Sequence, residues 1–507
     1  MVIAESASAV SRIEEFLASL GSIIWGPWLL IPLLLGTGLY LTIRLGGIQF
    51  VRLAAALRLG LLKRKDADAE GDISQFQALT TALAATVGTG NIVGVATAIG
   101  IGGPGSLFWM WVTGLVGMAS KYSEAYLGVR FRTTDAAGER NGGPQQYLER
   151  GIRGPLGKVL AWMFTVFTIF ACFGIGNMTQ GNSVAMNVKE STSIPTWATG
   201  LFLTVIALAV LVGGIKSIGR VTAGLVPVMI VFYVAAALFI LVANVADLPS
   251  AFATIFSDAF TGTAAAGGFA GSVIIVAVQM GVARGIFSNE SGMGSAAIAA
   301  SAAQTSHPVR QGLVSMTQTF IDTIIVVSMT GLVIIVTGAY KFTTLGADGT
   351  PEQMSAALMT SEAFTRGLPG TWGHWVVTIG ISLFAFSTLL GWSYYGERNI
   401  EKVFGRAAVL PFRIFFSLIV YVGCVTELKV VWNFSDVMNG LMALPNLIGL
   451  LILSGLVARE TRAYLRHDPG LTATTAEVEA FMADDPGYQE WRRTEGLVDA
   501  KQLSRES

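Results

Sequence analysis

Two short stretches set glycines beside polar side chains in the middle of long apolar runs. The first is Gly88-Thr89-Gly90-Asn91, inside the run from Ser74 to Gly105; the second is GVARGIFSNESGMGSAA, where Gly281, Gly285, Gly292 and Gly294 accompany Arg284, Asn289 and Glu290. A run of this length should otherwise be one membrane helix, and each backbone N–H or C=O left unpaired in hydrocarbon costs several kcal/mol. A break is tolerated where protein buries it or where it lines a wet cavity, so the chemistry indicated is non-covalent binding by freed backbone groups and neutral polar side chains. Catalysis has little support: there is no HExxH or GxSxG, and His307, His374 and His467 are scattered.

Whatever positions these stretches is embedded in lipid. Of 507 residues, 52% are apolar and only 13% are charged, and the mean hydropathy is +0.61, which excludes an ordinary soluble protein of this size. Lys and Arg balance Asp and Glu at 33 each, so nothing suggests a nucleic-acid partner. The two cysteines, Cys172 and Cys424, both lie in apolar runs and read as small packing residues. Met1 to Leu20 lacks the basic start of a cleaved signal peptide, and Val10, Ile13, Phe16, Leu17 and Leu20 predict a short interfacial helix over 1–21.

Apolar windows long enough to span a bilayer fall at 22–43, 75–100, 106–128, 157–188, 196–213, 219–243, 270–300, 312–338, 372–397, 409–424 and 431–458. Pro445 could split the last one, and loop charge arbitrates. Loops 44–73 and 129–158 and the connection from Arg398 to Arg413 are basic, whereas alternate connections carry little or no positive charge. Cytoplasmic loops collect Lys and Arg. Eleven spans satisfy that rule throughout, with the N-terminus outside and the tail 459–507 in the cytoplasm; a twelfth would export Arg459, Arg462 and Arg466. The tail is expected to be polar, partly helical around Ala476 to Met482, and without chemistry of its own.

In this count the extra helix at 22–43 precedes two five-span halves, 74–243 and 270–458, and the two broken stretches occupy the first and sixth core spans. They run in opposite directions, as an inverted repeat requires, and paired interrupted segments point to a transporter's binding site. Arg284 and Asp322 fall near the middle of oppositely directed spans, which predicts an ion pair; Glu290, nearer the cytoplasm, is a candidate for gating or support. A structural ion pair or a vestibule-lining role is the alternative for all three.

At these residues the chain resembles the alanine or glycine:cation symporter family, also called sodium:alanine symporters. The resemblance rests on GTGNIVGVATAIGIGGPGSLFWMW at 88–111, NGGPQQYLERG at 141–151, GNMTQGNS at 176–183, GIFSNESGMGSAAIAAS from 285 and AQTSHPVRQG ending at 312, and it covers roughly residues 20–460. It implies an all-α LeuT-type fold of two inverted five-helix repeats plus one extra helix. It also implies sodium-coupled uptake of small neutral amino acids, chiefly alanine or glycine, across a plasma membrane, with a bacterial inner membrane favoured.

An alanine zwitterion needs donors for its carboxylate, acceptors for its ammonium and a small apolar space for its methyl. Amides freed at Thr89, Gly90 and Asn91 sit at the positive end of the following half-helix and suit the carboxylate. Carbonyls freed around Gln279 to Ala283, beside Gly281, would accept from the ammonium. By resemblance, the carbonyls of Ala84 and Val87 would face Ala385 and the Thr388 hydroxyl to hold sodium. Leu389 stands where some relatives of the fold have a second hydroxyl, which Ser387 is placed to replace. Thr86 and Asn91 are candidates for a second cation.

Trp392 shares a helix face with Thr388 and is a candidate cap for the methyl pocket, with Phe170 and Phe173 as another wall. Gln180 would either bond substrate or brace the broken backbone, and Asn177 the backbone. Two rivals remain. Thr86 to Gly90 reads TVGTG, like a potassium-channel filter, but it occurs once and in mid-helix. Proton coupling in place of sodium is the nearer alternative.

Overall fold

The computed structural model describes residues 2–63, 66, 69–135, 138–261, 270–345, 351–354, 356–426 and 428–495, which leaves Arg64 and Lys65 of the first basic loop outside the described residues. Each of the eleven apolar windows is helical, because in lipid a helix satisfies its own backbone. Among the described residues, six helices are long and apolar enough to cross a membrane: Pro155–Thr192, Gly214–Ala243, Pro308–Val336, Gly373–Phe404, Arg406–Val425 and Val431–His467. The pair Gln75–Thr86 and Gly90–Gly102, bent by 51°, makes a seventh if counted as one span. Leu30–Arg44, Thr196–Leu211 and Ile274–Asn289 are shorter apolar helices. Gly105–Arg130 adds 26 residues of helix with Lys121, Glu124 and Arg130 buried by its neighbours.

The first break lies where the glycines predict it. Ser74 caps Gln75–Thr86 through a reciprocal capping box with Gln77, the helix stops at Val87, and a π-helical turn at Gly90–Gly94 restarts it. The second break is displaced from the expected position. Ala270–Asn289 continues unbroken through Gly281, Arg284 and Gly285, and the backbone leaves the helix only at Glu290 to Gly294 before Ser295–Ser301 begins. The left-handed conformations fall there, at Glu290 (φ 54°), Gly292 (φ 90°) and Gly294 (φ 83°). Gly281 has a packing role instead: a Cβ there would lie 2.4 Å from the Ser106 carbonyl oxygen on Gly105–Arg130.

Pro445 does not split the last window. It is absorbed in a single 40-residue helix, Leu428–His467. Beyond it, Thr475–Met482 and Pro486–Glu495 are helical and fold back onto the protein, with Val478, Met482 and Trp491 buried. Trp491 donates its indole N–H to the Val129 carbonyl, and Glu490 pairs with Arg130 at 2.8 Å. The tail therefore buries its few large apolar side chains against the body it covers.

Candidate functional site

The first break and the helix that leads into the second meet at one carboxyl group. Asp322 sits in a π-helical turn, Phe320–Val327, within Pro308–Val336 and is fully buried. The Asn91 amide donates to its Oδ1 at 2.7 Å, Ser288 Oγ donates at 2.9 and 3.1 Å, and Thr323 Oγ1 donates at 2.8 Å. Asn289 in turn donates to Thr323 Oγ1 at 3.0 Å. One side chain from the first break and one from the helix leading into the second thus converge on one fully buried carboxyl group. Four lone-pair positions on an ionised carboxylate are what make such convergence possible.

Arg284 does not belong to this cluster. The expected Arg284–Asp322 pair is replaced by a bidentate Arg284–Asp436 pair, with bonds of 2.8 and 3.2 Å. It is partly exposed, at 15% and 22% for the two side chains. Phe287 and Trp432 stack beside it with centroids 5.1 Å apart, and the guanidinium lies 5.5 Å from each ring. Asp322 is instead satisfied by the neutral donors Asn91, Ser288 and Thr323.

At the first break, Asn91 also accepts from the Gly88 amide through Oδ1 at 2.9 Å, and Gln180 Oε1 accepts from the Thr89 amide at 3.3 Å. Gln180 donates to the Ile175 carbonyl at 2.8 Å, so it braces one broken segment against another, and Asn177 donates to the Phe416 carbonyl at 2.7 Å. The Asn91 amide N–H is used within the turn, on the Gly88 carbonyl. The Thr86 hydroxyl turns back onto the carbonyls of Ala82 and Leu83. That local bond competes with the second-cation role expected of it.

A second oxygen-rich locus lies one turn earlier. Thr388 Oγ1 donates to the Ala84 carbonyl at 3.0 Å, and Ser387 Oγ reaches the carbonyls of Ala84 at 3.2 Å and Val87 at 3.4 Å. Ala385, also buried, lies one turn before Thr388 on Gly373–Phe404. Ser387 thus brings a hydroxyl to the same carbonyls, next to Leu389 in the chain. The approach depends on glycine: a Cβ at Gly88 would fall 2.4 Å from Thr388 Oγ1. Two carbonyls freed from a helix end and two hydroxyls, all hard neutral oxygens, form a donor set suited to an alkali cation and poor for a transition metal.

Trp392 and Glu290, expected in separate roles, are partners: the indole N–H donates to Glu290 Oε1 at 2.7 Å, while Ser295 Oγ donates to Oε2 at 2.5 Å. The tryptophan lies flush against Gly176, where a Cβ would come within 2.2 Å of its own. Phe170 is 51% exposed on the outer surface and Phe173 packs among Phe412, Phe415 and Phe416, so neither walls the site. The carbonyls of Gln279 to Ala283 lie within intact helix and are not released for an ammonium.

Sequence reasoning missed Lys121 and Glu124. Lys121 Nζ donates to the Glu290 carbonyl at 2.9 Å, and Glu124 Oε1 accepts from the Gly294 amide at 2.9 Å and from Asn446 at 2.8 Å. They fasten both ends of the second break. Their signal was present, since ionisable residues within an apolar window are functional candidates by default. Asp436, in the window 431–458, carried the same signal.

A family profile described as the sodium:alanine symporter family matches residues 10–476. The chain is 51% identical over 447 residues to the sodium/alanine symporter AgcS of Methanococcus maripaludis, covering 88% of this chain and 96% of that one. It is 35% identical to the probable sodium/glutamine symporter GlnT of Bacillus subtilis, over 90% and 91% of the two chains. It is 34% identical to the putative sodium/proton-dependent alanine carrier protein YrbD of Bacillus subtilis, over 87% and 90%. Among solved structures, MhsT in complex with L-phenylalanine superposes with a TM-score of 0.53 at 15% identity, covering 86% of this chain and 98% of that chain, a likeness of fold.

Proposed function

Because this chain belongs to the sodium:alanine symporter family, a family of cation-coupled amino-acid symporters, and has the LeuT-type fold, we propose that it carries alanine or glycine inward with sodium by alternating access. The observation that carries this reading is the abutment of the Ala84 and Val87 carbonyls with the Ser387 and Thr388 hydroxyls across the first break. Each hydroxyl oxygen lies 3.0 to 3.4 Å from a freed carbonyl across the break, so a sodium ion held between them would replace these hydrogen bonds and tie the first core helix to the eighth.

The amino acid would occupy the space between the two breaks. Its ammonium is matched by Asp322, which takes over the role expected of the carbonyls near Gly281, and its carboxylate by the backbone amides of Thr89 and Gly90, the Asn91 amide being engaged by the Gly88 carbonyl. Gln180 would release the Thr89 amide when substrate arrives. Trp392, held by Glu290, would limit side-chain size and favour alanine or glycine over larger amino acids. A second cation would use Asn91 together with Asp322.

Loop charge supports an N-terminus outside and a cytoplasmic tail in the plasma membrane, a bacterial inner membrane being favoured. That orientation puts the Arg284–Asp436 pair and the Phe287–Trp432 stack on the outer side of the site, where they would act as an outer gate. Neutralising either charge should raise the outside reactivity of a cysteine placed at Ser288, and exchanging the two charges should restore protection; unchanged reactivity in all variants would remove the gate.

Uptake of labelled alanine into proteoliposomes tests the main reading. Concentrative uptake that collapses when sodium is equal on both sides is expected. Uptake driven equally well by a proton gradient without sodium would favour the second reading, proton coupling, for which Asp322 is the carboxylate in the right place. Competition by glycine, serine, glutamine and leucine measures the size limit; equal competition by leucine would overturn the role given to Trp392.

A further inference from the structure

We propose that Arg44, Arg459, Arg462 and Arg466 form a binding site for the phosphate of an anionic phospholipid. The four line a groove of about 270 Å³ between Leu30–Arg44 and the far end of Leu428–His467. Arg459, Arg462 and Arg466 stand three and four residues apart and so share one helix face. Arg44 occupies the last turn of its helix and approaches them across Gly455, where a Cβ would lie 3.3 Å from its Nη2. Arg462 donates to the Arg44 carbonyl at 3.3 Å, which brings two of the cations together.

The contrast with the neighbouring arginines identifies the site. Arg130 pairs with Glu460 at 3.0 Å, Arg310 with Asp468 at 3.3 Å and Arg398 with Asp135 at 3.1 Å, all buried. Arg44, Arg459, Arg462 and Arg466 are exposed and, among the described residues, make no ion pair with a carboxylate. Four like charges gathered around one groove repel each other unless an anion joins them. Guanidinium groups suit phosphate because they present parallel N–H donors to two of its oxygens.

What favours a lipid over free phosphate is the surface leading away from the groove. Ile43 on one helix and Ile448 and Ile452 on the other are exposed, with Tyr40 between them hydrogen-bonded to Ser454. Ile448, Ile452, Gly455 and Arg459 follow at spacings of four, three and four, one continuous helix face that passes from apolar to cationic. An acyl chain lying along the isoleucines would deliver its headgroup phosphate to the arginines, at the level where basic pockets recognise acidic headgroups.

The test uses the full-length protein in nanodiscs and native mass spectrometry. Retained phosphatidylglycerol should exceed retained phosphatidylethanolamine, and the triple variant R459Q/R462Q/R466Q should lower that preference by at least about 10-fold. The variant R153Q/K158Q, on a different basic loop, should leave it unchanged. Equal retention of phosphatidylglycerol by the triple variant overturns the site. Inorganic phosphate that displaces phosphatidylglycerol at equal concentration overturns the lipid assignment in favour of a free anion. Hydrogen exchange of the wild type, which needs no variant to fold, should show slower exchange over 455–466 in phosphatidylglycerol than in phosphatidylethanolamine discs; identical exchange counts against the proposal.

Discussion

Asn91 donates to Asp322 at 2.7 Å and at the same time accepts from the Gly88 amide at 2.9 Å, so one side chain shapes the first break and binds the buried anion. Asp322→Asn keeps the volume but replaces an acceptor-only group with an amide that donates as readily as it accepts. Losing one partner of a charged, buried hydrogen-bond set costs about 3 kcal/mol, so alanine uptake should fall by about 100-fold while the protein still purifies as a folded species. Uptake within twofold of wild type would remove Asp322 from the site.

The Ser387 and Thr388 oxygens lie 3.2 and 3.0 Å from the freed Ala84 carbonyl of the first break, while each hydroxyl also reaches the Phe384 carbonyl of its own helix, at 2.8 and 3.0 Å. Thr388→Ser retains the oxygen and should transport nearly normally. Thr388→Ala and Ser387→Ala each delete one candidate ligand, a loss of about 1 to 2 kcal/mol, and should raise the sodium concentration for half-maximal uptake several-fold with little change in alanine half-saturation at saturating sodium. An effect on alanine alone would contradict the cation assignment.

Gly176 supports Trp392 at a distance that leaves no room for a methyl group. Gly176→Ala should force the tryptophan or its helix aside, at a cost of about 1 to 3 kcal/mol, and lower both the melting temperature and alanine uptake. Glu290→Gln, by comparison, keeps a carbonyl oxygen for the indole N–H and should retain more uptake. The reverse ranking in a side-by-side assay would show that the Trp392–Glu290 bond, and not the close packing, governs the pocket.

Trp491 anchors the last helix against Val129 with its ring buried. Removing a buried tryptophan ring costs about 3 to 5 kcal/mol, here charged to local undocking. Trypsin should cut after Arg492 and Arg493 at least about 100-fold faster in Trp491→Ala, with the membrane body intact. Unchanged cleavage would mean the tail is held by its ion pairs alone.

Glu139 lies outside the spanning helices, in the loop that meets Arg398 and Arg406. Burial pushes its carboxyl up, but the Arg406 hydrogen bond and the Arg398 charge and hydrogen bond outweigh burial and hold it at about 2, below the ordinary 4.5. A folded-state value below the unfolded one adds stability that is fully present above pH 4.5 and is lost as pH falls from there toward 2. Glu139→Gln should therefore melt lower than wild type at neutral pH, and the gap should close between pH 4.5 and 2. A gap that does not narrow there argues against the pairing.

Much of this was legible in the residues. Long apolar windows separated by basic loops give helices and a direction, because lipid forces every backbone group to pair within its own segment and the loops carry the charge. Glycines beside Asn91 announced the first break, since a polar amide in hydrocarbon needs a partner. The Ala84, Val87 and Thr388 grouping came from resemblance, and Ser387 was offered as the missing hydroxyl; the fold brings all four together.

The rest depended on three-dimensional neighbours. Glycine permits a break without imposing one, so Gly281 and Gly285 remained helical while Glu290 to Gly294, pinned by Lys121 and Glu124, did not. A buried charge chooses its partner by distance and by the donors around it, so Arg284 found Asp436 and Asp322 found Asn91. Composition made the tail polar and partly helical around Ala476 to Met482, and the structure adds the surface that buries its Val478, Met482 and Trp491. By itself the sequence determined that helices break in a membrane and where the charges lie along the chain. Only the tertiary structure decided which broken backbone faces which side chain, because hydrogen-bond partners tens to hundreds of residues apart leave no periodic trace in the chain that makes them.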